Sequence, residues 1–125
     1  MKRKSKVGYV DGFVIAVPKK NLARYRRMAQ KAGKIWKEFG ALEYFECVGD
    51  DLKFDFGLPF PKLVKSKRGE TVVFSWIGYR SKGQRDKVNA KVMKDPRIAE
   101  MCGAKDMPFN PKRMAYGGFK VIVSE

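Results

Sequence analysis

The sequence predicts an α+β domain of ferredoxin-like plan, with one antiparallel sheet backed by helices in a βαββαβ sandwich. Two runs, YVDGFVIAVP at Tyr9–Pro18 and ETVVFSWIGY at Glu70–Tyr79, are dense in the β-branched and aromatic residues that favour strands. Each is followed by a stretch of helical character and then by another strand-like run, which gives the two βαβ halves of that plan.

The elements follow in order. From Asn21 to Phe39, Leu22, Tyr25, Met28, Ala29, Ala32, Ile35, Trp36 and Phe39 recur at three- and four-residue steps, and Gly40 supplies a C′ stop. Leu42–Val48 (LEYFECV) reads as the second strand. Between Gly49 and Gly69, apolar Leu52, Phe54, Phe56, Leu58 and Phe60 recur every second residue. A structureless stretch of that length is uncommon in a compact domain, so a hairpin arm with a short strand, or an interface segment, is expected. Ser81 and Gln84 have the spacing of a capping box that opens a second helix carrying Val88, Val92 and Met93. Asp95-Pro96 suits an N-cap and first position for a short turn through Met101, Gly103–Pro111 reads as loop, and Met114–Val123 closes the chain as the last strand. Gly117-Gly118 marks a bulge or a close backbone approach in that strand. Residues 9–125 thus form one domain, preceded by a basic, flexible tail over residues 1–8.

The strands are apolar at consecutive positions (FVIAV, VVFSWI, VIV), so both sheet faces call for burial. Two helices cover one face, and the other is expected to pack on a second copy, giving a homodimer.

Composition narrows the chemistry. The 125 residues include no histidine and only two cysteines, Cys47 and Cys102, without CxxC spacing. This excludes a one-chain zinc site of the common Cys/His type and every histidine-dependent nucleophilic triad, and it predicts neither a disulfide framework nor a metal site. No apolar run approaches the roughly 20 residues of a membrane helix and no export signal is read in the basic start, so the expectation is a soluble, cytoplasmic protein without a membrane partner. Lys plus Arg total 28 against 13 Asp plus Glu, a net charge of +15. That field attracts polyanions, and it serves equally as a solubilising surface or as the imprint of an organism's general composition. Lys20, Arg24, Arg27, Lys31 and Lys34 stand four, three, four and three residues apart on the first helix and form a candidate stripe for weak, sequence-indifferent nucleic-acid binding. The third strand, TVVFSWIGY, lacks the basic RNP-type signature of an RNA recognition motif.

Asp11 is the one acidic residue inside an apolar strand, on the face shared by Tyr9, Phe13, Ile15 and Val17. A buried carboxylate needs a partner, and Arg113 or Arg80 is expected to supply it, either as a structural ion pair or as part of a site that orients an anionic ligand.

The segments YVDGFVIAVP, FDF, ETVVFSWIGYRSKGQRD, NAKVMKDPR and MPFNPKRMAYGGF, in this order from Tyr9 to about Ile122, resemble the YbaA-like family of small bacterial proteins. The resemblance implies a dimeric α/β barrel of ferredoxin-like type and supplies no activity. The basic tail, the lysine-rich first helix and the basic Lys62–Arg68 segment depart from the family's usual look. Within the wider superfamily the resemblance points to cofactor-free monooxygenases, which work between sheet and helices with side chains such as Trp76, Asn89 and Tyr116 here. The bland reading of those three is packing aromatics beside a satisfied core amide. Haem-degrading relatives are a poorer guide because the histidine ligand is missing. The function expected is small-molecule binding, with monooxygenase-like chemistry by analogy, in a pocket lined by Tyr9, Asp11, Trp76, Arg80, Asn89, Arg113 and Tyr116 and without a cofactor.

Overall fold

The computed structural model describes residues 6–102 and 107–125; the first five residues of the predicted tail and part of the predicted 103–111 loop lie outside the described residues. Strands β1 (Tyr9–Pro18), β2 (Glu43–Val48), β3 (Glu70–Tyr79) and β4 (Ala115–Lys120) form one antiparallel sheet in the order β2-β3-β1-β4. This is the ferredoxin-like α+β fold. Helices α1 (Leu22–Glu38), α3 (Lys82–Met93) and α4 (Pro96–Cys102) lie on one face, and a single turn, α2 (Phe60–Leu63), follows β2. Among the described residues, no helix is long and apolar enough to cross a membrane.

The helix boundaries follow from local chemistry. At the end of α1, Gly40 has φ +115°, its N–H donates to the Lys37 carbonyl, and Ala41 N–H donates to the Trp36 carbonyl. These bonds satisfy two terminal carbonyls and turn the buried Ala41 back onto the core. Ser81 Oγ accepts from Gln84 N–H at 3.1 Å, while Gln84 Oε1 accepts from Arg80 N–H and its Nε2 donates to the Gly40 carbonyl at 2.8 Å. One glutamine therefore caps α3 and fastens it to the end of α1. Asp95 Oδ1 accepts from Arg97 N–H at 2.8 Å, so Asp95-Pro96 opens α4 as its residue types prescribe.

The sheet register sorts the side chains. Asp11 pairs with Ile77 and Gly118, and Phe13 pairs with Ser75 and Tyr116; these face the helices. Ile77, Tyr79, Ile35, Val88, Val92 and Ile98 make one end of the core there, and Ile15, Val17, Tyr25, Ala29 and Val73 make the other. The opposite face carries Val14, Phe74, Trp76, Phe45 and Phe119. On that face Phe45 stacks on Trp76 at 4.8 Å, and Phe45, Phe74 and Phe119 stay 46%, 42% and 62% exposed.

Three local expectations are corrected. Residues 49–69 hold no strand: their alternate phenylalanines meet no ladder partner, Phe54 and Phe56 are exposed, and Pro59 and Pro61 stand at the N-cap and in the first turn of the one-turn α2. The segment instead lays Leu52 and Val64 against Ala16 and Val72 on the helix-free face. The last strand stops at Lys120, because Val121 N–H reaches the Gly8 carbonyl and β1 offers nothing beyond it; Ile122 and Val123 are exposed. Met93 is likewise exposed at the end of α3, not on its buried arc.

Candidate functional site

Asp11, only 1% exposed, sits in the middle of the sheet because β1 is a central strand. Gly118 faces it on β4, and a Cβ there would collide with the Tyr9 hydroxyl, so the glycine makes room for the Tyr9 ring beside the carboxylate. From the first turns of α3, Arg85 reaches down to Asp11, with Nη1 donating to Oδ1 at 2.7 Å. Its Nε donates to Asp86 at 2.8 Å, its remaining contacts are the Tyr9 and Tyr116 hydroxyls at 3.4 and 3.5 Å, and its guanidinium lies 5.0 Å over the Tyr9 ring. One helical turn on, Asn89 Oδ1 accepts from Trp36 Nε1 of α1 at 3.1 Å and from the Tyr79 hydroxyl of β3 at 3.2 Å. Helix spacing puts Arg85 and Asn89 on the same face as Val88 and Val92.

Burial pushes the Asp11 carboxyl above the usual carboxylate range, and the Arg85 guanidinium, with Asn89 and Tyr79, pulls it only part of the way back. Burial, reinforced by the Asp11 charge, also raises the Tyr79 and Tyr116 phenols, which stay protonated at neutral pH. The network is well satisfied and joins β1, β3, α1 and α3.

Several predicted site residues separate. Tyr9, Asp11, Asn89 and Tyr116 come together as a cluster. Arg80 is exposed past the end of β3. Arg113 sits five residues along from Gly118, roughly 17 Å down the strand at about 3.3 Å per residue, and binds Glu70 instead, at 2.7 and 2.9 Å. That guanidinium holds the Glu70 carboxyl below its usual range. The expected pairing of Asp11 with Arg113 or Arg80 is thus replaced by Arg85. Trp76 pairs with Gly12, one residue out of phase with Asp11, so its side chain lies on the helix-free face, away from Asn89. Arg85, Tyr79 and Trp36 were not singled out by sequence reasoning. Arg85 had one usable signal, its four-residue spacing from Asn89, which is hard to notice among 28 basic residues.

The network lies behind one side of a hollow and reaches it through Trp36. Trp36, held by Asn89, and Phe13, stacked on Tyr116 at 4.9 Å, border a half-open space of about 190 Å³ between α1 and the sheet. Its floor is Ile15, Ser75 and Ile77, and its cover is methionine-rich: Met28, Met101, Met107 and Met114, with Phe109. Beyond it, an open groove of about 1230 Å³ runs between α1 and β2. Tyr25, Ala29, Tyr44, Phe45 and Glu46 border both spaces. At that boundary Glu46 accepts from the Tyr25 hydroxyl at 2.7 Å and the Tyr44 hydroxyl at 2.8 Å. Among the described residues, no group of three or more Cys, Asp or Glu is placed to hold a metal ion. Arg27 and Lys31 are exposed on α1, Lys34 is exposed where the helix borders the groove, and Lys20 is exposed in the 3-10 turn before the helix; Arg24, expected in the same open stripe, is half-buried.

Comparison with known proteins gives the chain a family and a fold. A family model described as "Protein of unknown function (DUF1428)" matches residues 8–111. The uncharacterized protein YbaA of Escherichia coli K12 is 50% identical over 117 residues, covering 94% of this chain and 98% of the relative, and the Shigella flexneri protein of that name matches equally. Among solved structures, a nipsnap family protein of unknown function from Agrobacterium tumefaciens aligns with TM-score 0.57 and 12% identity over 97% of this chain and 94% of its own. A dimeric ferredoxin-like protein from an uncultured marine organism aligns with TM-score 0.53 and 11% identity over 93% and 97%. At such identities the structural likeness speaks for the fold alone. The match along most of its length, to the family model and to a relative identical at half of the aligned positions, places the chain in the DUF1428 family of proteins of unknown function.

Proposed function

We propose that the protein is a homodimeric α/β barrel that binds a small, largely apolar molecule between its sheet and α1. The single observation that carries this reading is the cavity of about 190 Å³, whose walls are aromatic, aliphatic and thioether side chains braced from behind by the Asp11–Arg85–Asn89 network. Binding sites are typically apolar hollows with few, well-placed polar groups, and methionine lining lets such a hollow adapt to its occupant. A dry cavity of roughly 150 Å³ is enough for benzene. Monooxygenase-like chemistry would use the same chamber; its support is fold-level analogy.

Toluene titrated into the protein is expected to bind saturably, with a change in tryptophan fluorescence. Ala32→Leu, which fills part of the space, should weaken binding at least tenfold while the fold is retained. Absence of saturable binding by the parent, or unchanged binding by a folded Ala32→Leu variant, would refute the reading.

The exposed side of α1 supports a second reading, non-specific nucleic-acid association. Arg27, Lys31 and Lys34 stand at helical spacing along α1, Lys20 lies in the turn just before it, and all four are open to solvent. Reversing the four to glutamate is expected to abolish retention on heparin at physiological salt. Unchanged retention would move the attraction to other basic segments.

A further inference from the structure

We infer that Glu46 is the polar anchor of the cavity's ligand, and that the ligand is a one-ring or short-alkyl compound carrying a hydrogen-bond donor, an alcohol or an ammonium group. This deepens the cavity reading above and rests on it. Glu46 lies on β2 directly across from Ser75 of β3, on the face turned toward the helices, where an edge strand of this sheet otherwise contributes Tyr44 and Val48. Glu46 is exposed and borders both the half-open hollow and the groove, so it stands where the apolar space meets solvent.

The two phenols fix its geometry. The Tyr25 hydroxyl donates to one carboxylate oxygen and the Tyr44 hydroxyl to the other, at 2.7 and 2.8 Å. Tyr25 is 5% exposed and its ring meets Phe109, a cavity wall residue, edge-on at 5.6 Å, so the side chain that steadies Glu46 also shapes the chamber. Burial and the neighbouring Glu46 charge raise the Tyr25 phenol far above its usual range, which keeps its proton in place as a donor. A carboxylate offers about four lone-pair sites, and the phenols use one on each oxygen. The remaining capacity accepts hydrogen bonds; it cannot donate one.

That decides the ligand class. The volume admits one ring and a short tail, since roughly 150 Å³ suffices for benzene. The tail meets a hydrogen-bond acceptor of negative charge, which suits an alcohol or an ammonium group and repels a carboxylate. The groove outside carries both signs, Arg26, Lys34 and Lys37 with Glu38 and Glu43, and so adds no simple charge preference of its own.

The test compares ethylbenzene, 2-phenylethanol, 2-phenylethylammonium and phenylacetate by titration calorimetry against the parent and Glu46→Gln. In the parent, at least one of the two donor-bearing probes should bind ten or more times as tightly as ethylbenzene, with phenylacetate weakest. The tighter of the two identifies a neutral or a cationic donor. In Glu46→Gln, that advantage should shrink to within about threefold while ethylbenzene binding is unchanged. Should the variant fail to fold, the probe ranking on the parent, together with chemical-shift changes localised at Glu46 and Tyr25, still decides. Equal affinity for all four probes overturns the anchor and leaves the cavity reading standing; no binding of any probe, ethylbenzene included, overturns the cavity reading itself.

Discussion

Arg85→Met is expected to destabilise the fold by about 3–5 kcal/mol at neutral pH, because it leaves a buried carboxylate without its cation. Asp11 is 1% exposed and Arg85 supplies its ion pair at 2.7 Å. The converse change, Asp11→Asn, should cost less, about 1–3 kcal/mol, the usual penalty for an unsatisfied buried polar group. Its Arg85 keeps Asp86 as a partner and has a side chain 15% exposed, so that cation is not stranded. Urea denaturation of both variants and of the double mutant measures the coupling; an additive result would show that the pair contributes no interaction of its own.

The pH dependence follows from the direction of the Asp11 shift. Its folded-state pKa already lies above the unfolded value, so the folded protein holds the proton more tightly, and this contribution to stability is lost as pH rises through the folded pKa. Removing the guanidinium eliminates the main opposing influence and moves that pKa further up. The deficit of Arg85→Met should therefore be smallest near pH 4 and grow toward neutrality. A deficit independent of pH would mean that Asp11 remains charged without its partner.

Phe74→Glu combined with Phe119→Glu is expected to convert a dimer into a monomer, weakening association by at least a hundredfold, about 2.7 kcal/mol. Both rings lie on the helix-free sheet face, 42% and 62% exposed, in a patch with Phe45 and Trp76. Contiguous apolar patches of this kind mark interaction surfaces, and a charge placed in the contact loses its hydration without gaining a partner. Sedimentation at micromolar concentration should show the parent at twice 14.3 kDa. A parent that sediments as a monomer, or a double variant that stays dimeric, would remove this face as the interface.

Much of the fold was legible because local rules and the tertiary structure agree. The apolar spacing of α1, its Gly40 stop and the Ser81–Gln84 cap are local features, and each appears where the residues call for it. The alternation at 52–60 misled because period two describes only which way side chains point; whether a strand forms depends on a neighbouring edge, and the prolines withdraw the donors such an edge needs. The end of β4 was illegible for a related reason, since it is set by where β1 runs out. In the candidate site, Asp11, Asn89 and Tyr116 came together, but Trp76 fell on the far face. That outcome depends on the register between β1 and β3, and a shift of one residue would reverse it. The Glu46 cluster escaped notice because it joins α1 to β2 at a point fixed only by helix packing; Gly33 approaches Tyr44 so closely there that a Cβ would overlap its ring.

The central position of β1 also has a temporal consequence. The first strand to be synthesised is hydrogen-bonded on one edge to β4, the last, and Asp11 must wait for Gly118. At translation rates of roughly 5–20 residues per second, the 107 residues added after Asp11 up to and including Gly118 delay that pairing by about 5–20 s. During this interval β1 can pair with β3 alone. The sheet is therefore completed only once β4 has been made, and until then a nascent chain carries an open, apolar β1 edge.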